Sequence, residues 1–173
     1  MSNTINPAER TPVEGAKNRT QAHLWLHRSV GEWTTETEAM DPEGNKFTTT
    51  GTESIRKLGE YWIVNEIKGI MPDDNQPAEM VVAIGYDIKK GKFVGSWVGS
   101  MMENLWVYEG EMDENGALNL YSEGEDMMDE SKTAVYRDQI SWESDDVRLF
   151  TSSAKDEKGE WFSFMTVRST RVK

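Results

Sequence analysis

The 173-residue chain has no cysteine, which excludes disulfides, thiolate nucleophiles and cysteine-ligated zinc. It also lacks any apolar run near the ~20 residues a membrane helix needs. Residues 1–19 (MSNTINPAERTPVEGAKNR) carry no hydrophobic core of the kind found in a secretory signal. Basic residues are in short supply, with 19 Lys and Arg against 31 Asp and Glu and a formal charge of −12. Such a surface repels phosphate backbones and anionic headgroups, so neither nucleic acid nor a membrane is expected as a partner. There is no phosphate-binding glycine loop, nucleophile elbow or dinucleotide fingerprint. Ser96 and Ser100 have no histidine at a suggestive position. The expectation is a cytoplasmic protein with a disordered polar leader over 1–19 and one domain over 20–173.

What the chain does have is turn chemistry at regular spacing after residue 30. Asp41-Pro42-Glu43-Gly44-Asn45, Met71-Pro72-Asp73-Asp74-Asn75, Asp113-Glu114-Asn115-Gly116 and Asp156-Glu157-Lys158-Gly159 are four of nine such punctuation points. Gly, Asn and Asp supply the positive φ angles and local side-chain bonds that tight turns require. Between them lie ten segments rich in Thr, Val, Ile, Tyr, Phe and Trp, which is strand composition. Short links predict an antiparallel meander over 31–40, 46–57, 61–70, 78–88, 92–100, 104–112, 117–124, 133–143, 147–154 and 160–172. An open meander of that length exposes two edges, and closure removes them. The predicted fold is therefore all-β, an up-and-down barrel of about ten strands.

Thr20 to Ser29 is the one good helix candidate, with Thr20 as its cap and Ala22, Leu26 and Val30 on one stripe. It is placed to plug one end of the barrel. In the first strand, Trp33, Thr35, Thr37 and Ala39 alternate with Glu32, Thr34, Glu36 and Glu38. The glutamates must meet water, so Trp33 and the two threonines face inward and give the interior some polar lining.

A tight turn with Gly59 and Glu60 at its centre would set Glu53 opposite Glu66, and Ile55 opposite Val64, with Trp62 on the same face. Two opposed carboxylates on an inward face imply a shared proton or a bridging cation, and so a proton-handling group for a ligand. The plainer alternatives are a register slipped by one residue or solvation of the pair. Trp62, Tyr86, Trp97, Trp106, Tyr108, Tyr121 and Tyr136 sit within strands, either filling the core or lining a pocket for a flat or apolar molecule. Ten methionines suit an adaptable interior. His23 and His27 stand four apart on the helix, a metal-sharing spacing. No third ligand is evident, so exposed histidines are expected there, with no metal and no cofactor.

Gly31-Glu32-Trp33 after a short helix resembles the opening of the lipocalins and related calycins. In those proteins the tryptophan packs at the closed barrel end beneath an arginine from near the last strand. The resemblance implies Arg168 or Arg171 for that cation–π role here. A wider set is Trp25-Leu26, Val30-Gly31-Glu32-Trp33, Leu58-Gly59, Trp62-Ile63-Val64, Gly85-Tyr86-Asp87, Phe93-Val94-Gly95-Ser96-Trp97, Glu109-Gly110 and Ser169-Thr170-Arg171. Together these resemble the bacterial family domain of unknown function 1579 over nearly all of the chain from about residue 20. That resemblance implies a lipocalin-like barrel and brings no established activity. Members of that family often carry an acid two residues after the tryptophan matching Trp97, where this chain has Gly99.

Three functional readings follow. The first is a binding barrel for a small apolar or aromatic molecule, with Glu53 and Glu66 as polar contacts. The second is an isomerase or hydrolase using that acid pair as general acid and base. The third is a filled barrel that works through protein contacts. The balance favours binding over catalysis, and a homodimer is left open.

Overall fold

In a computed structural model, which describes residues 4–173, every strand expected from the turn spacing forms. They are β1 Gly31–Met40, β2 Lys46–Leu58, β3 Trp62–Ile70, β4 Pro77–Asp87 and β5 Lys92–Gly99. The second half comprises β6 Trp106–Met112, β7 Leu118–Asp126, β8 Asp129–Ser144, β9 Val147–Lys155 and β10 Trp161–Arg171. All neighbours are antiparallel, and β1 pairs with both β2 and β10 to close the barrel. Thr35, for example, lies between Gly51 on one side and Ser169 on the other. Closure pairs the two outer strands of the meander, β1 with β10, which is why so long a meander can persist in water. Among the described residues no helix is long and apolar enough to cross a membrane.

Helix α1, Gln21–His27, sits over one end of this barrel. Its N-terminus is closed by an unusual device. The backbone N–H of Thr20 donates to His23 Nδ1 at 2.9 Å, so an imidazole takes the place of the glutamate of a capping box. Ala22, Trp25 and Leu26 turn inward and pack with Trp33, Phe93, Leu118 and Leu120. Full burial of a Leu or Phe side chain contributes about 1.5–3 kcal/mol. The helix thus forms a floor. Strands run from floor to mouth and back, so the turns at 41–45, 71–76, 100–105, 127–128 and 156–160 all gather at the opposite end.

Two glycines make the floor and wall possible. Gly31 has φ +144°, and a Cβ there would lie 2.7 Å from the Lys173 carbonyl oxygen and 2.8 Å from Arg171 Nη1. At Gly124 a Cβ would lie 2.3 Å from the Trp106 ring, so the missing side chain admits that indole.

The disordered leader expected over 1–19 does not describe residues 4–19. Thr11 N–H donates to the Arg19 carbonyl at 2.8 Å, Gln21 N–H to the Glu9 carbonyl at 2.8 Å, and Ala16 is buried. A polar segment is ordered here because its backbone groups find partners beside the helix, which composition does not reveal. Residues 1–3 of the expected leader lie outside the described residues.

Candidate functional site

The inward faces of the ten strands enclose a cavity of about 440 Å³, within the range of small-molecule sites. The floor beneath it is built around Trp33. Its indole N–H donates to the Ser29 carbonyl at 2.9 Å, and the guanidinium carbon of Arg171 lies 4.2 Å from the ring centroid. Arg171 also donates to the carbonyls of Val30 and Arg28, both at 2.7 Å, and so ties the last strand to the helix end. Of the two arginines considered for this place, Arg171 occupies it, whereas Arg168 points outward to Glu143.

Just above the floor, Glu53 and Arg148 form a buried ion pair. Asn65 Nδ2 donates to Glu53 Oε2 at 3.2 Å and Ser169 Oγ to Oε1 at 3.1 Å. Arg148 also faces the Trp33 ring, at 5.1 Å. Each charge is therefore compensated within the wall, the condition for keeping an ion pair in the interior.

Nearer the mouth is a second polar group. Asp138, between Tyr136 and Ile140 on β8, accepts hydrogen bonds from the Tyr108 hydroxyl and, at 2.6 Å, from Ser152 Oγ. All three residues line the cavity. Burial raises the Asp138 carboxyl above its ordinary value, partly opposed by the two hydroxyl donors. Burial, then the Asp138 charge and their hydrogen bond, push Tyr108 well above the tyrosine range, so it holds its proton and remains a donor. Apolar groups including Trp97, Trp106, Phe150 and Val82 make up most of the surrounding wall.

Methionines close the upper end. Met71, Met101, Met102 and Met127 line the entrance from three of the mouth turns. Nearby, the wall changes character. The β6–β7 ladder joins only Glu109–Met112 to Leu118–Tyr121. Residues 106–108 have no ladder partner in β7, and Trp106 fills the gap. Its ring stacks edge-on against Tyr136 at 5.2 Å, and its indole N–H donates to Met102 Sδ at 3.0 Å. Gly99 serves the same end, for a Cβ there would lie 2.5 Å from Met101 Sδ and 2.6 Å from the Trp97 ring. Without rearrangement, an acid at this position has no room.

Among the residues considered from sequence, Thr35, Thr37, Glu53, Trp97, Trp106, Tyr108 and Tyr136 line the cavity. Glu66 does not. Leu58 pairs with Trp62 across a three-residue link, so Glu53 faces Ile67 and Glu66 faces Ser54. The extra residue shifts the register by one and turns Trp62, Val64 and Glu66 to the outer face. The expected acid pair is therefore absent, and Glu53 is matched by Arg148. Tyr121 also faces outward, 6.0 Å from Trp161. Tyr86 belongs to the floor, 5.0 Å from Phe93 and 6.0 Å from His23. His23 is buried, contrary to the exposed position expected for it. No three metal-ligating side chains cluster among the described residues.

Sequence reasoning missed Asp138, Arg148 and Ser152. A signal was present: Tyr136, Asp138, Ile140 and Trp142 alternate along β8, placing one acid within an otherwise apolar face. Arg148, Phe150, Ser152 and Ala154 alternate likewise along β9.

The family model described as protein of unknown function (DUF1579) matches residues 18–171. No curated protein matches the chain. The solved S-type phycobiliprotein lyase CPES from Guillardia theta is similar, with 16% identity, a TM-score of 0.61, and 88% of this chain and 93% of that one covered. Rv2717c from M. tuberculosis is 9% identical, with a TM-score of 0.58 and coverage of 88% and 98%. At such identities the likeness is one of fold.

Proposed function

We propose that this chain, which belongs to the DUF1579 family of proteins of unknown function, binds a small, largely apolar or aromatic molecule inside its barrel. The observation that carries this reading is the cavity of about 440 Å³, walled mainly by apolar groups and furnished with the Asp138–Tyr108–Ser152 cluster. Pockets of this kind gain affinity from apolar burial and orientation from a few convergent polar groups. The filled-barrel alternative is disfavoured by the size of the void. The acid-pair enzyme lost its chemistry when Glu66 turned outward.

Native mass spectrometry of freshly purified protein tests this, with Thr37→Trp as the comparison. Thr37 lines the cavity, so an indole there would occupy the space. The expected result is a small-molecule adduct on the wild type that is lost on denaturation and absent from the folded variant. Equal spectra for the two, with no adduct and no stabilisation by a library of small aromatics, would overturn the reading.

A further inference from the structure

The two internal charge sites differ in what they leave over. Arg148 is committed to Glu53, whose oxygens are further occupied by Asn65 and Ser169. The Arg148 charge is already balanced by Glu53, so an entering carboxylate would add a second, uncompensated negative charge beside that pair. Asp138 is different. Both of its oxygens accept from hydroxyls, and among the described residues it forms no ion pair. A carboxylate so placed is costly unless it takes up a proton or a positive charge reaches it. The neighbouring rings supply no charge, but Trp106, Tyr108 and Tyr136 line the same cavity, and aromatic surroundings favour a desolvated cation.

The entrance agrees in sign. Asp41, Asp73, Asp74, Glu103, Asp156 and Glu157 stand on the mouth turns. Lys132 is partly neutralised by Asp129 and Glu157, and Lys158 shares their rim. Lys68 reaches the cavity lining at the mouth end of β3, at a strand position whose side chain faces outward. The net field at the opening attracts cations and repels anions.

We propose that the cavity selects a lipophilic cation, an apolar or aromatic body bearing one ammonium-type group, with Asp138 as the anchor and Tyr108 and Ser152 holding the carboxylate in place. This rests on the binding reading above and adds the charge of the ligand to it.

Isothermal titration calorimetry near neutral pH with three matched probes tests the choice: naphthylmethylamine, naphthylmethanol and naphthoate. The amine should bind at least about tenfold tighter than the alcohol, and naphthoate weakest. In Asp138→Asn, a near-isosteric change, the amine should fall to the level of the alcohol. On the wild type alone, raised salt should weaken the amine only modestly, because an anchor inside the barrel is poorly screened. Equal binding of all three probes would leave the cavity as a binding site and overturn the charge preference. Tightest binding of naphthoate, retention of the amine preference in Asp138→Asn, or its loss in salt would also overturn it. Binding of none would remove both this proposal and the reading beneath it.

Discussion

At the floor, Trp33 is fully buried, held by an indole hydrogen bond, by Arg171 at 4.2 Å and by Trp142 at 5.9 Å. At the mouth, Met101, Met102, Met127 and Met128 expose 36–67% of their surface, and one stretch of wall is sealed by a tryptophan rather than by a ladder. Planar groups with few rotatable bonds, locked by directional bonds, make a surface with one arrangement. Flexible thioethers make one with many, at small energetic differences. The barrel therefore divides labour between its ends. The floor stabilises and positions, while the mouth yields. Cooperative stability should reside at one end and ligand exchange at the other.

The sharpest way to break this contrast is at Arg148. Replacing it with Met leaves Glu53 buried without its cation, and urea unfolding should show a loss of about 3–5 kcal/mol. Glu53→Leu combined with Arg148→Met removes both charges and should recover most of that loss. A single Arg148→Met variant as stable as wild type would mean that the floor pair is not what holds this end together. Gly31→Ala comes next. The positive φ and the nearby Lys173 carbonyl should cost about 1–3 kcal/mol, read as a lowered thermal midpoint.

These floor positions also mark what could be read in advance. Strand boundaries, closure and the inward phase of Trp33, Thr35 and Thr37 were legible, because alternation and turn residues are local properties of the chain. Register was not. Whether Leu58 meets Tyr61 or Trp62 depends on the backbone of one short link, and a single residue reverses every face in β3. Partnership was harder still. Glu53 and Arg148 are separated by 95 residues and come from strands on either side of β1 and β10, and no local pattern couples them. The candidate site was thus half legible, with its aromatic wall visible and its ionic chemistry hidden in long-range pairing.

Protonation offers a smaller test with opposite signs at the two levels. Burial lowers His23 and His27 at the floor below the ordinary 6.5. As pH falls below that value, the unfolded chain takes up protons that the folded chain resists, so stability falls. His23→Gln should flatten this part of the profile. Asp138, nearer the mouth, is raised above the ordinary 3.8. Between that value and its higher folded one, the folded state holds the proton more firmly, so stability rises on acidification. Thermal midpoints of Asp138→Asn should lack that rise. Identical profiles for wild type and both variants would show that neither group is buried as described.

The least effect on global stability is expected at the mouth, and there it is most diagnostic. Met102→Leu keeps the volume but removes the sulfur that accepts the Trp106 indole N–H at 3.0 Å. Because Met102 is exposed, the change should leave the unfolding free energy within about 0.5 kcal/mol of wild type. Local opening should nevertheless respond. Trp106 is what closes the gap between residues 106–108 and β7, whereas Glu109–Met112 is held by its ladder. Hydrogen exchange should therefore quicken at residues 106–108 and 122–124 and stay unchanged at 109–112. Uniform quickening along β6 would mean that the strand opens as one piece. The mouth would then be no softer than the wall below it, and the ligand route would have to lie elsewhere.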